Sequence, residues 1–148
     1  MLMAGKIRSI EELADHCGAL REAGESVVLC HGVFDLMHPG HIKHLEVAGS
    51  HGDRLVVTIT ADRWVAKGPG RPIFNQRLRA ESLAALGMVD FVAVVDGPTA
   101  LPAIEALHPS VYIKGIDYAD PAQDVTRKIA DERAAVERFG GTLRFTDD

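Results

Sequence analysis

Four histidines fall within the fifteen positions of HGVFDLMHPGHIKHL, residues 31–45, and two of them, His38 and His41, bracket a Pro-Gly pair. Imidazoles this dense serve metal ligation, anion binding or nothing at all. Gly40 lets the backbone approach a ligand closely. A helix starting near Pro39 would aim free N–H groups and the positive end of its dipole at the same place. One imidazole just before that helix and one in its first turn can both donate hydrogen bonds there, which suits a phosphate. Zinc held by His38, His41 and His44 is the competing reading, because three imidazoles with an open position make a catalytic zinc centre. Against it, the spacing is not HExxH, and His44 is expected to face along the helix. His16, His44, His51 and His108 read as structural or surface histidines, and a His-rich surface helix is the bland alternative for His38 and His41.

Other candidate residues lie far away in sequence. Lys67, with Gly68 and Gly70 beside it, sits on AKGPGRPIF together with Arg71, and Lys114 lies in KGIDY. Each cation alone would be a solvated surface charge, and Asp35 alone a turn cap. Their meaning depends on whether the fold gathers them. GPGRPI is not a GxGxxG fingerprint, and no GxxxxGK[ST] P-loop occurs.

The elements that would position these residues alternate. Apolar runs at 26–30, 54–60, 91–95, 110–114 and 142–146 read as buried strands. Between them, 39–52, 75–87, 99–108 and 122–140 have helical period, with Pro39 and Pro102 in first turns, Asn75 as an N-cap, and Gly52 and Gly87 at helix ends. Residues 9–23 form a further helix ahead of the first strand, with Ser9 and Glu12 spaced as a capping box. Five strands separated by helices predict a doubly wound, five-stranded parallel α/β sheet, a Rossmann-like domain spanning 1–148. Such folds bind ligands beyond the carboxyl ends of the strands, where strand order reverses. Asp35, His38, His41, Lys67, Arg71 and Lys114 all follow strands, so one edge of an acidic protein should be cationic.

The chain has 148 residues, a formal net charge of −5 and 47% hydrophobic content. That is one domain with ample core. The charge and the lack of any Lys/Arg run exclude a nucleic-acid footprint. The apolar stretches are strand-sized, too short to span a membrane, and MLMAGKIRSIEEL becomes charged too soon for a signal-peptide core. Cys17 and Cys30 lack CxxC spacing and read as two buried thiols rather than a disulfide. A cytoplasmic protein is expected.

GVFDLMHPGHIKHL resembles the signature of the cytidylyltransferase-like nucleotidyltransferase family, a Gly-x-Phe-Asp stretch followed by His-x-Gly-His. The similarity continues through KGPGRPIFNQRLRAESLAALGMVDFVAVVD to VYIKGIDY, and most resembles the heptose 1-phosphate adenylyltransferase branch. The resemblance implies attack of a sugar or polyol phosphate on the α-phosphate of a nucleoside triphosphate, ATP favoured over CTP, with Mg²⁺ and release of pyrophosphate. It assigns His38, His41 and Lys67 to catalysis and triphosphate binding. Gly32, Val33, Phe34 and Asp35 would line the nucleotide and acceptor pocket, with Gly40, Arg71, Arg77, Lys114 and Gly115 also binding. The family usually ends in a Ser/Thr-rich motif opening a helix, and the sequence stops at RFTDD where that motif would begin, so either it is one domain of a longer protein or this third phosphate contact is absent. A nucleotide-binding module without turnover and a His-cluster metal hydrolase are the alternatives. Relatives commonly form homo-oligomers, and dimerisation would cover an exposed sheet edge or helix face.

Overall fold

The computed structural model describes residues 5–65, 70, 72–115 and 125–146, with side chains from residue 128 in the last stretch. Five parallel strands form one sheet: β1 Val27–Gly32, β2 Arg54–Thr60, β3 Phe91–Val95, β4 Val111–Gly115 and β5 Thr142–Thr146, in the order β3-β2-β1-β4-β5. Order reverses between β1 and β4, which pair in register from Val28↔Val111 to Cys30↔Ile113. The doubly wound parallel sheet expected from the alternating pattern is what the chain builds.

Alternation along each strand divides the core in two. Val27 and Leu29 of β1 join α1 (Ile10–Glu22), α4 (Leu101–Leu107) and α5 (Val125–Arg138) on one face. Val28 and Cys30 join α2 (Pro39–Gly49) and α3 (Gln76–Ala84) on the other. Cys17 and Cys30 therefore lie buried on opposite faces, outside any disulfide, and burial pushes the Cys17 thiol up. Buried and with a raised pKa, Cys17 is not a poised nucleophile. Ser9 and Glu12 form the expected capping box, and Asn75 caps α3 by accepting from the Leu78 amide. Ile7 bridges Val92, shielding part of the outer edge of β3.

Several boundaries differ from expectation. β1 runs on through His31 and Gly32, whereas α2 stops at Gly49 with Ser50, not Gly52, as its C-cap. Gly52 has a packing duty instead: a Cβ there would lie 2.7 Å from Val28 Cγ2 and 2.8 Å from Ser26 Oγ. α3 also ends earlier, at Ala84. Among the described residues, no helix is long and apolar enough to cross a membrane.

Candidate active site

At the end of β1 the chain turns sharply through Gly32, Val33, Phe34 and Asp35 before α2 begins. Phe34 adopts a left-handed backbone, φ 52°, which costs a non-glycine residue roughly 1–2 kcal/mol. Its ring folds back over Gly32, where a Cβ would stand 2.9 Å from Phe34 Cε2, so glycine at 32 is a steric requirement. The same ring meets His41 edge-on, with centroids 5.9 Å apart.

His38 and His41 together cap α2. His38 Nδ1 accepts from the Gly40 amide at 3.0 Å, and His41 Nδ1 accepts from the His38 amide at 3.1 Å. This is a capping box built from two imidazoles in place of Ser/Thr and Glu/Gln. A neutral imidazole that accepts at Nδ1 carries its proton on Nε2. Both rings, with centroids 4.1 Å apart, are thus set as Nε2–H donors at the positive end of the helix. The expectation that free helix amides would face the ligand is corrected here. The Gly40 amide is taken by His38, and the His41 amide by the His38 carbonyl at 2.9 Å. What α2 offers an anion is its dipole and two imidazole N–H groups. Gly40 is needed for this arrangement, because a Cβ there would approach His38 Cε1 to 2.7 Å.

Asp35 is engaged with the neighbouring loop. Its two carboxylate oxygens accept from the Ile73 and Phe74 amides, each at 2.8 Å. That ties the β1–α2 turn to the stretch just before α3. Lys67 and Arg71 lie outside the described residues. Arg77 points outward, its side chain 85% exposed and paired with Glu81 at 3.2 Å.

Arg79, two residues further on, was not among the sequence candidates and is fully buried. It donates to the carbonyls of Val33 (2.9 Å), Thr60 (2.8 Å) and Phe74 (3.0 Å), and to Asp62 Oδ1 (2.7 Å). The signal was present in the helix period, since Arg79, Ala80, Leu83 and Ala84 form the buried stripe of α3.

The other side of the switch point is a buried polar network. Lys114 is nearly fully buried and lies 3.2 Å from Glu132 of α5. Glu132 also accepts from the Tyr112 hydroxyl and from the Ala100 amide at the start of α4, both at 3.2 Å. The Lys114 ammonium is thus held from inside the fold. Gly115 beyond it ends β4, and no atom of the described residues lies within 4 Å of where a Cβ would stand. His31, at the end of β1, hydrogen-bonds Thr58 at 2.9 Å and approaches Thr60 Oγ1 to 3.4 Å. Burial, assisted by the Lys114 charge, pulls its pKa from 6.5 down to about 3.

His44 turns away from His38 and His41 to Thr146 at the end of β5, 3.0 Å away. The three histidines proposed as zinc ligands therefore do not share one focus. Among the described residues, no three His, Cys, Asp or Glu side chains gather as a metal-ligand set.

The cytidylyltransferase-like family model matches residues 29–142, which includes β2, β3 and β4 in full, most of β1 and the whole histidine stretch. The protein called Bifunctional protein HldE from Methylococcus capsulatus is 42% identical over 141 residues, covering 94% of this chain and 28% of that protein. Its namesake from Geobacter sulfurreducens is 40% identical over 142 residues, 95% and 28% respectively. The chain thus spans little more than a quarter of the length of these curated relatives. The solved lipopolysaccharide core biosynthesis protein from Thermoplasma volcanium superposes with a TM-score of 0.65 at 27% identity, over 82% of this chain and 94% of that one. A pantoate-beta-alanine ligase from Francisella tularensis superposes equally well, 0.65 over 95% of this chain and 66% of that one, at 14% identity, which speaks for the fold alone. With 114 of its residues under one model and its histidine pair at the switch point, the chain belongs to the cytidylyltransferase-like family.

Proposed function

We propose that this chain is a nucleotidyltransferase that moves a nucleotidyl group from a nucleoside triphosphate, ATP in preference to CTP, onto a sugar or polyol phosphate. The observation that carries this reading is the histidine capping box, which presents two Nε2–H donors at the positive end of α2 beside the β1/β4 switch point. Heptose 1-phosphate is the acceptor suggested by the sequence resemblance and by the HldE relatives.

The chemistry asks little more of the protein. An oxygen of the acceptor phosphate attacks the α-phosphorus, the bond from that phosphorus to the α–β bridging oxygen breaks, and pyrophosphate leaves. The attacking phosphate is already largely ionised at neutral pH, so no general base is needed. The work is positioning and neutralising developing charge. His38 and His41 donate to triphosphate oxygens, and Lys67 with Arg71 adds cations to the phosphates. Gly32, Val33 and Phe34 wall the pocket, Asp35 holds its loop, and Gly40 keeps the histidine cap in place. Gly115 gives backbone access beside the acceptor, while Lys114 supplies a fixed positive field from beneath.

Mg²⁺ fits as a companion of the triphosphate. Asp35, Asp62 and Asp96, described carboxylates at this edge, are occupied by amides, by Arg79 and by Arg63 with Trp64 respectively, so phosphate oxygens and water would supply most of its ligands. It would neutralise phosphate charge during transfer. Such a substrate and two buried cysteines outside any disulfide suit the cytoplasm.

The test is pyrophosphate release with ATP or CTP against a panel of sugar 1-phosphates and polyol phosphates, with Mg²⁺. One productive pair, abolished in His41→Ala with the fold retained, is the expected result. Nucleotide binding by calorimetry with silence across the panel would replace this reading by a binding module without turnover. Turnover untouched by His41→Ala would overturn the assignment of the histidine pair.

A further inference from the structure

The β1–α2 turn places a phenylalanine in a left-handed conformation and then rests a catalytic imidazole on its ring. Something must hold that turn. Val33, the residue before Phe34, gives its carbonyl to Arg79 Nη1 at 2.9 Å, and the same nitrogen takes the Thr60 carbonyl at the end of β2 at 2.8 Å. Asp62 anchors the other face of the guanidinium at 2.7 Å. Nε holds the Phe74 carbonyl at 3.0 Å, while Asp35 holds the Phe74 amide at 2.8 Å. The Phe74 residue is thus gripped from both sides, once from α3 and once from the β1–α2 turn.

A planar guanidinium offers several donors in a rigid fork, which a lysine ammonium cannot reproduce at four diverging acceptors. A buried arginine used only for stability would be an odd choice, because its desolvation offsets much of what its bonds return. Its acceptors are also not scattered through the core. Three of the four lie on segments that end at the candidate active site.

We infer that Arg79 is a positioning residue of this site: by fixing the Val33 carbonyl it holds the left-handed Phe34 turn, and through the Phe34 ring it seats His41 for phosphate contact. The inference rests on the proposed nucleotidyl transfer for its kinetic readout, and on geometry alone for its spectroscopic one. Arg79 does not touch substrate.

The experiment compares Arg79→Lys in the wild-type and Phe34→Gly backgrounds, each variant assayed well below its own melting midpoint. In the wild-type background Arg79→Lys should lower kcat at least about tenfold. In Phe34→Gly it should lower kcat less than about threefold, since glycine adopts the left-handed turn unaided and no ring remains to be seated. Equal fold-losses in the two backgrounds would mark Arg79 as merely structural and overturn the inference. Long-range ¹H–¹⁵N spectra of the imidazoles need no turnover: Arg79→Lys should shift His41 toward a mixed tautomer pattern and leave His51 unchanged. If wild type releases no pyrophosphate with any pair, the nucleotidyl-transfer reading fails and the spectra alone decide. An unmoved His41 pattern would refute the positioning role. Should Arg79→Lys not fold, Asp62→Asn, which weakens one anchor of the fork, is expected to move kcat and the His41 pattern in the same directions by less, and no movement of either would refute the inference.

Discussion

Lowering the pH from neutral to about 4.5 loads a proton onto His31 in the unfolded chain but not in the folded one. The folded ring is half-buried, bonded to Thr58 and close to Thr60 of β2, with the Lys114 charge nearby, and desolvation draws its pKa from 6.5 to about 3. A depressed folded-state value means that the unfolded chain binds more protons between those two pH values. Stability is therefore full above the window and declines as pH drops through 6.5. Each pH unit inside the window costs up to about 1.4 kcal/mol, so acidification to about pH 4.5 removes roughly 3 kcal/mol through this ring alone. Glu12, Asp53 and Asp96, whose pKa values are lowered by hydrogen bonds to Ser9, Ser26 and Arg63 respectively, also lose stability in acid. Their contribution cancels when wild type is compared with His31→Asn, which preserves the short Thr58 bond and cannot titrate. Urea unfolding followed by circular dichroism at both pH values gives the two slopes. Wild type should lose about 3 kcal/mol more than His31→Asn. Parallel losses would show that His31 charges freely in the folded protein and would refute this account of its environment.

Gly40→Ala should lose about 1 kcal/mol of stability, the worth of an N-cap, and raise the KM for triphosphate, because its Cβ displaces the His38 ring. Unchanged KM would separate the cap from the phosphate site. Glu132→Ala removes the carboxylate that Lys114, the Tyr112 hydroxyl and the Ala100 amide share in a buried network. It should cost about 3–5 kcal/mol in chemical denaturation, and a loss under about 1 kcal/mol would show that water replaces the carboxylate. Lys67→Ala should raise the apparent KM for triphosphate and lower kcat, and unaltered kinetics would remove Lys67 from the proposed site.

Strands and helices were legible because their apolar residues keep the period of the element that buries them, as Val27–Cys30 do on two faces and Leu13 and Cys17 on one. That the described residues following the strands share one edge was legible for a coarser reason: a parallel sheet puts every carboxyl strand end on the same edge. Finer features followed rules that residue type does not disclose. Gly52 reads as a helix stop, yet its smallness serves close packing against Val28 and Ser26. Arg77 and Arg79 look alike as letters, but two residues along a helix is more than half a turn, so one meets solvent and the other the core. Lys114 reads as a ligand cation, and only the tertiary fold supplies Glu132 on the same face of β4 as Tyr112 to claim it. His31 was counted among four histidines, although its partners, Thr58 and Thr60, belong to the next strand.

The mutual cap of His38 and His41 has a consequence for how this protein can change over generations. In most enzymes the fastening of a helix and the groups that meet substrate are separate residues, free to drift independently. Under the proposed nucleotidyl transfer they are the same two side chains, which cap α2. Neither can be exchanged to retune chemistry without loosening α2, and neither can be exchanged to tighten α2 without silencing the chemistry. The pair must be inherited or abandoned together. The simplest exit is a joint replacement, His38→Ser with His41→Glu, which rebuilds an ordinary capping box. A descendant that had taken that route would keep the helix and the sheet while losing both Nε2–H donors, a well-folded relic of the same architecture with nothing left to offer a phosphate.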